Sequence, residues 1–163
     1  MRAAVAALAF TAAVTAASAW GQETGALRRC WPDDVPGVWD VVRLRASSSW
    51  RVDRSQPYYF QFQRYVFTAD GYARHLTAPM PIGPAQHEAM TSMPVRTRWS
   101  LDERGWLTVD KEEGAPDVSE CQVVQRPIVD DRQRITAMPG EVVLTYYAAG
   151  APVMRRQLAR RSE

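Results

Sequence analysis

Between Trp39 and Arg160 the chain is a succession of short runs in which apolar and polar residues alternate, each run ended by turn residues. Alternation with a period of two marks strands with one buried face, and it leaves little room for helix. The runs are Trp39 to Arg45, Tyr58 to Thr68, Tyr72 to Leu76, Val95 to Trp99, Trp106 to Lys111, Glu120 to Arg126, Ile135 to Met138, Glu141 to Tyr147 and Pro152 to Arg160. Sequential hairpins of this kind close most simply into an up-and-down barrel, which leaves no exposed edge. The fold class expected is all-β: a small antiparallel up-and-down barrel of about eight strands with a short helix or loop insertion. A β-sandwich is the rival, because two packed sheets give the same strand spacing.

Local signals sharpen this picture. In the run from Tyr58, Phe60 and Phe62 share one face whereas Tyr65 and Phe67 share the other, so a β-bulge is expected near Gln63-Arg64. Asp70-Gly71 predicts a type I′ hairpin turn, with positive φ at both central residues. From 78 to 94 the pattern breaks: Pro79, Pro81, Pro84 and Pro94 exclude a central strand. Pro84 suits the first turn of a short helix through Gln86, His87, Glu88 and Met90, and this insertion is expected to form a lid over the barrel mouth.

Residues 1–19 read as a signal peptide rather than as part of the fold. Arg2 is a short positive region, Ala3 to Val14 is apolar, and Ala17-Ser18-Ala19 suits a signal peptidase. A membrane span needs about 20 strongly apolar residues, more than this stretch offers. Residues 20–163 are then a single exported domain, periplasmic or secreted, with no membrane span after cleavage. The chain carries 20 Lys and Arg against 18 Asp and Glu, and loss of Arg2 with the leader brings these near balance. Such a balance argues against a nucleic-acid partner. Export also permits disulfides, and Cys30 and Cys121 are the only cysteines. A bridge between them closes a loop of about 90 residues and contributes roughly 4–5 kcal/mol on a chain-entropy basis. The alternative is two buried thiols.

Four stretches in order carry a family resemblance: Gly37-Val38-Trp39, Phe67-Thr68-Ala69-Asp70-Gly71, Arg98-Trp99-Ser100-Leu101 and Gln157-Leu158-Ala159-Arg160. Through them the chain resembles bacterial lipocalin-like (calycin) domains across most of residues 37–160. It departs from typical secreted lipocalins in lacking clear versions of their other signature loops. The resemblance implies an eight-stranded barrel whose interior holds one small apolar molecule. It also implies that Trp39, after Gly37, plugs one end beneath an arginine of the last strand, for which Arg155, Arg156 and Arg160 are available, with Arg156 and Arg160 preferred.

Catalytic chemistry finds little support. His75 and His87 are the two histidines, and no Gly-x-Ser-x-Gly, Cys-x-x-Cys, phosphate-binding glycine loop or His-Glu-x-x-His occurs. The acid pairs Asp33-Asp34, Glu112-Glu113 and Asp130-Asp131 fall in loops. No enzyme, no catalytic residue and no cofactor is therefore expected. Phe60, Phe62, Tyr65, Phe67, Trp99, Trp106 and Tyr146 are the residues expected to line a ligand pocket, although aromatic side chains also fill ordinary cores. A second possibility is a rigid accessory or protein-interaction subunit of a periplasmic or membrane-associated complex, presenting Trp31 or Trp50. A third rests on His87-x-x-Met90-x-x-Met93, since thioether and imidazole ligands suit Cu(I); methionines that fill gaps at the barrel mouth are the plainer explanation.

Overall fold

A computed structural model describes residues 25–162; the leader read at residues 1–19 lies outside them. In chain order the strands are β1 (Leu27–Arg29), β2 (Gly37–Ala46), β3 (Phe62–Phe67), β4 (Ala73–Ala78), β5 (Trp99–Leu101), β6 (Trp106–Val109), β7 (Asp117–Val124), β8 (Ile128–Val129), β9 (Ile135–Ala137), β10 (Val142–Ala148) and β11 (Ala151–Arg160). A single helix of more than one turn among the described residues, α1 (Pro84–Ser92), begins on Pro84 and lies between β4 and β5.

The sheet runs β4-β3-β2-β11-β10-β7-β6-β5, every pairing antiparallel. Its two ends meet at a bridge between Tyr72 and Arg98. Two backbone bonds support that bridge: Ala73 N–H donates to Thr97 O at 3.0 Å and Trp99 N–H to Gly71 O at 2.9 Å. The result is a nearly closed antiparallel barrel of eight strands with up-and-down connectivity. Alternation then decides what faces inward. Trp39, Tyr65, Phe67, Ala73, Leu107, Cys121, Val142, Leu144, Tyr146, Met154 and Leu158 form one buried apolar cluster inside it.

A second, smaller cluster lies on the outer side of the wall. Val124 and Val143 alternate with the inward residues of β7 and β10, and they pack with Ile128 and Ala137 of the β8–β9 hairpin. β1 also adds to this side. β6 pairs with β7 over Asp117–Glu120, and β1 takes the same edge of β7 over Gln122–Val124. The Cys30–Cys121 disulfide fastens β1 there, with Cα atoms 5.4 Å apart across a sequence separation of 91.

Three local expectations need correction. No bulge occurs near Gln63-Arg64, since β3 keeps regular register with both β2 and β4. The apparent slip arises because a polar residue, Gln63, takes an inward position and caps the carbonyls of Tyr58 and Phe60. Phe60 precedes β3 and follows a short 3-10 turn at Pro57–Tyr59. The bulge that does bend this wall is at Val42, between the pairs Leu158–Val41 and Gln157–Arg43. The turn at Asp70-Gly71 is not type I′ either: only Gly71 has positive φ, at 88°. Gly71 N–H donates to Thr68 O and Thr68 N–H to Tyr72 O, as in a three-residue loop closed by a left-handed glycine. Finally, the run from Val95 yields only Trp99–Leu101 as strand.

Candidate functional site

At one end of the barrel, Trp39 is buried and donates from Nε1 to Val35 O at 2.9 Å. The guanidinium of Arg160 lies 4.4 Å above its ring and is itself held by the carbonyls of Pro36 and Asp34. Arg156, one inward position earlier on β11 than Leu158, turns instead into the barrel. The last-strand arginines thus divide: Arg160 covers the tryptophan, and Arg156 enters the core.

Deeper in, β3 and β4 set Tyr65 opposite His75 and Phe67 opposite Ala73. His75 stacks on Tyr65 with ring centres 4.1 Å apart, and Tyr65 stacks on Phe67 at 5.6 Å; both pairs are nearly parallel. Beside this column is a cavity of about 220 Å³. Its wall comprises Tyr65, Phe67, Ala73, Arg74, His75, Thr97, Leu107, Val109, Lys111, Asp117, Ser119, Leu144 and Tyr146. Its border at Arg74, His75, Thr97, Val109 and Lys111 follows the weakly joined seam between β4 and the next strands.

Of the residues expected to line a pocket, Tyr65, Phe67 and Tyr146 do so. Trp99 sits behind the wall, its ring edge-on to Phe67 at 6.0 Å and its Nε1 donating to Thr68 O. Phe62 points outward into a groove with Asp40, Arg64, Pro81 and Ile82. Trp106 packs against Tyr147 at 5.4 Å, outside the barrel. Phe60 is half-buried ahead of β3 and does not border the cavity. The insertion does not form the expected lid: no residue of α1 lines the cavity, and Arg74 instead ties it to β4 through the carbonyl of Met93 at 2.8 Å. Of the residues named for a metal, Met90 is buried, His87 half-buried and Met93 exposed.

The polar groups in and behind the wall were the least visible in the sequence. Arg156 is fully buried. It donates to the Tyr146 hydroxyl at 2.8 Å, to the Tyr58 hydroxyl at 3.3 Å and to Tyr58 O at 3.0 Å, and its plane lies over the Tyr58 ring at 4.2 Å. No carboxylate pairs with it among the described residues, and its Nε has no partner. The Tyr65 hydroxyl is likewise buried and unpartnered. Burial pushes the Tyr65 hydroxyl well above the usual tyrosine range, and burial raises Tyr58 too. Both stay protonated phenols.

His75 is enclosed by the barrel, yet its ring is exposed because it faces the cavity rather than packed atoms. That enclosure, followed by the charges of Arg156 and Lys111, holds its pKa well below the ordinary value. The two cations act in the same direction as enclosure, so the neutral form is favoured even where water wets the ring. Its tautomer follows from Gln63, whose Nε2 donates to two carbonyls. Gln63 Oε1 must then accept from His75 Nε2, at 3.1 Å. Nδ1 therefore carries the lone pair. The available sequence signal for Arg156 was its phase: it falls midway between the inward Met154 and Leu158.

Comparison with known proteins finds no matching family model, no matching curated protein and no matching solved structure. The architecture itself defines the class: a nearly closed, eight-stranded antiparallel barrel, disulfide-fastened, with a cavity inside, compatible with a lipocalin-like fold.

Proposed function

We propose that the protein is an exported, lipocalin-like (calycin) binding protein that holds one small ligand inside its barrel and performs no chemistry on it. The cavity of about 220 Å³ carries this reading. Apolar cavities of roughly 150 Å³ accept benzene, and drug-sized sites begin near 300 Å³, so the space suits a ligand of about nine non-hydrogen atoms. Phe67, Ala73, Leu107, Val109 and Leu144 supply the apolar part of the wall, where burial yields about 25 cal/mol per Å². The disulfide agrees with export to an oxidising compartment.

The reading is tested by titrating the mature protein with a neutral aromatic solute such as benzyl alcohol, followed by chemical-shift changes at barrel amides. Saturable one-to-one binding is expected, and Val109→Phe, which fills the cavity, should weaken it while the protein remains folded. Linear, non-saturating shifts spread over the surface would overturn it.

A second reading, an accessory or interaction subunit, draws on a cleft of about 280 Å³ that runs from the exposed Trp50 and Tyr147 inward to Tyr58, Tyr146 and Met154. Trp50 and Tyr147 are exposed there. Co-purification of a stoichiometric partner that Trp50→Ser and Tyr147→Ser release, together with no small-ligand binding, would favour it.

A further inference from the structure

The cavity wall is not simply apolar, and behind its Tyr146 lies one unbalanced charge. Lys111 and Asp117, at the border, neutralise each other through a 2.8 Å ion pair. Arg74 points its guanidinium away, to the carbonyls of Met90 and Met93. Arg156 remains. An arginine keeps its proton under all ordinary conditions, and burying a cation without a counter-ion carries a large desolvation cost. Its side-chain hydrogen bonds among the described residues go to neutral groups, Tyr58 and Tyr146.

Two phenolic protons stand between that cation and the empty space. Tyr146 accepts from Arg156, which leaves its own proton to give. The Tyr65 hydroxyl has no partner at ordinary hydrogen-bond distance, its one hydrogen-bonding neighbour being the Tyr146 hydroxyl at longer range. A buried hydroxyl without an acceptor is uncommon and costly. Here one such hydroxyl, on Tyr65, borders the cavity beside the Tyr146 hydroxyl, which accepts from the fixed positive charge and has a proton to give. Beside Tyr65 the cavity offers a flat surface: one face of the His75 ring lies on Tyr65, its Nε2 is held by Gln63, and the residue is otherwise exposed.

Resting on the small-ligand reading above, we propose that the cavity takes a small planar organic anion, a monocyclic aromatic carboxylate, whose carboxylate accepts from Tyr65 and Tyr146 in front of Arg156 while its ring lies along His75. Benzoate is of the size the volume allows, about nine non-hydrogen atoms. A carboxylate has an oxygen for each of the two hydroxyls and balances the buried cation, which no neutral ligand does. Hydrogen bonds to a charged group are roughly twice as strong as neutral ones, so the preference for the anion should be large.

The test is calorimetric titration of the mature protein with benzoate, with its neutral isostere benzamide and with benzyl alcohol. Benzoate should bind one-to-one and at least about tenfold more tightly than benzamide. Tyr65→Phe should weaken benzoate about tenfold or more and leave benzamide within about twofold. Arg156→Met should remove the preference for the anion; should that variant not fold, Tyr65→Phe decides alone. Benzamide or benzyl alcohol binding as well as benzoate, or Tyr65→Phe leaving benzoate unaffected, would overturn the anionic assignment and leave the small-ligand reading standing. Binding of none of the three would overturn both.

Discussion

Gly37 has φ of 141°, a backbone region that side chains rarely adopt, and a Cβ there would stand 2.6 Å from Nη1 of Arg160. The glycine is therefore needed twice, for its conformation and for the room it gives the arginine lying on Trp39. Gly37→Ala should push Arg160 off the ring and cost about 1–3 kcal/mol in denaturant unfolding. Trp39→Ala should cost more, about 3–5 kcal/mol, because a large buried ring is lost. Equal stability of Trp39→Ala and the parent would refute the packing described for this end. His75 supplies a pH dependence. Unfolded, the ring takes a proton near pH 6.5; folded, it resists protonation to well below that value. Below pH 6.5 the unfolded chain thus binds more protons, so stability is present above that pH and declines as pH falls. The melting temperature should drop between pH 7 and 5 more steeply in the parent than in His75→Gln, measured by calorimetry. This Gly-x-Trp end was legible because a motif marks it; the inward placement of His75 and of Arg156, a residue expected over Trp39, was not, because an isolated polar residue in a strand looks solvated until its neighbours' phase is known.

At the scale of elements, period-two alternation located nearly all the barrel strands within a few positions, and Pro84 located α1. What it could not resolve was which face of a strand is inward. In β6, Leu107 and not Trp106 points to the core, since bulk alone does not report orientation. β1 was invisible for a related reason: three residues carry no period, and Arg28 and Arg29 hide the strand. Its presence depends on the partner edge that β6 leaves free on β7 and on the covalent tie at Cys30. Replacing both cysteines by serine should lower stability by about 2–5 kcal/mol. Hydrogen exchange should show the amides of Leu27–Arg29 losing protection before those of β10. Uniform loss across all strands would mean that the bridge does not serve β1 in particular.

For the whole molecule, closure of the wall is uneven. Seven of the strand junctions around the barrel are continuous ladders, whereas β4 and β5 meet at one bridge and two flanking backbone bonds. The cavity borders that seam through Arg74, His75 and Thr97. A ligand that binds the folded state should raise the melting temperature in proportion to the logarithm of its concentration above Kd. A shift absent at saturating benzoate and benzyl alcohol would count against occupancy of the interior.

The seam also has a consequence in time. If a molecule reaches the interior by parting the wall, the cheapest parting is at this seam, where a few bonds rather than the whole fold break. Association should then be paced by the protein's own breathing: at high ligand concentration the observed rate should stop rising and level off at the frequency with which β4 and β5 separate. The amides of Ala73 and Trp99 should exchange with solvent at that same frequency, slowed when the site is filled. The barrel would keep its guest by rarely opening, and dwell time, more than contact strength, would set how long a small molecule travels with it.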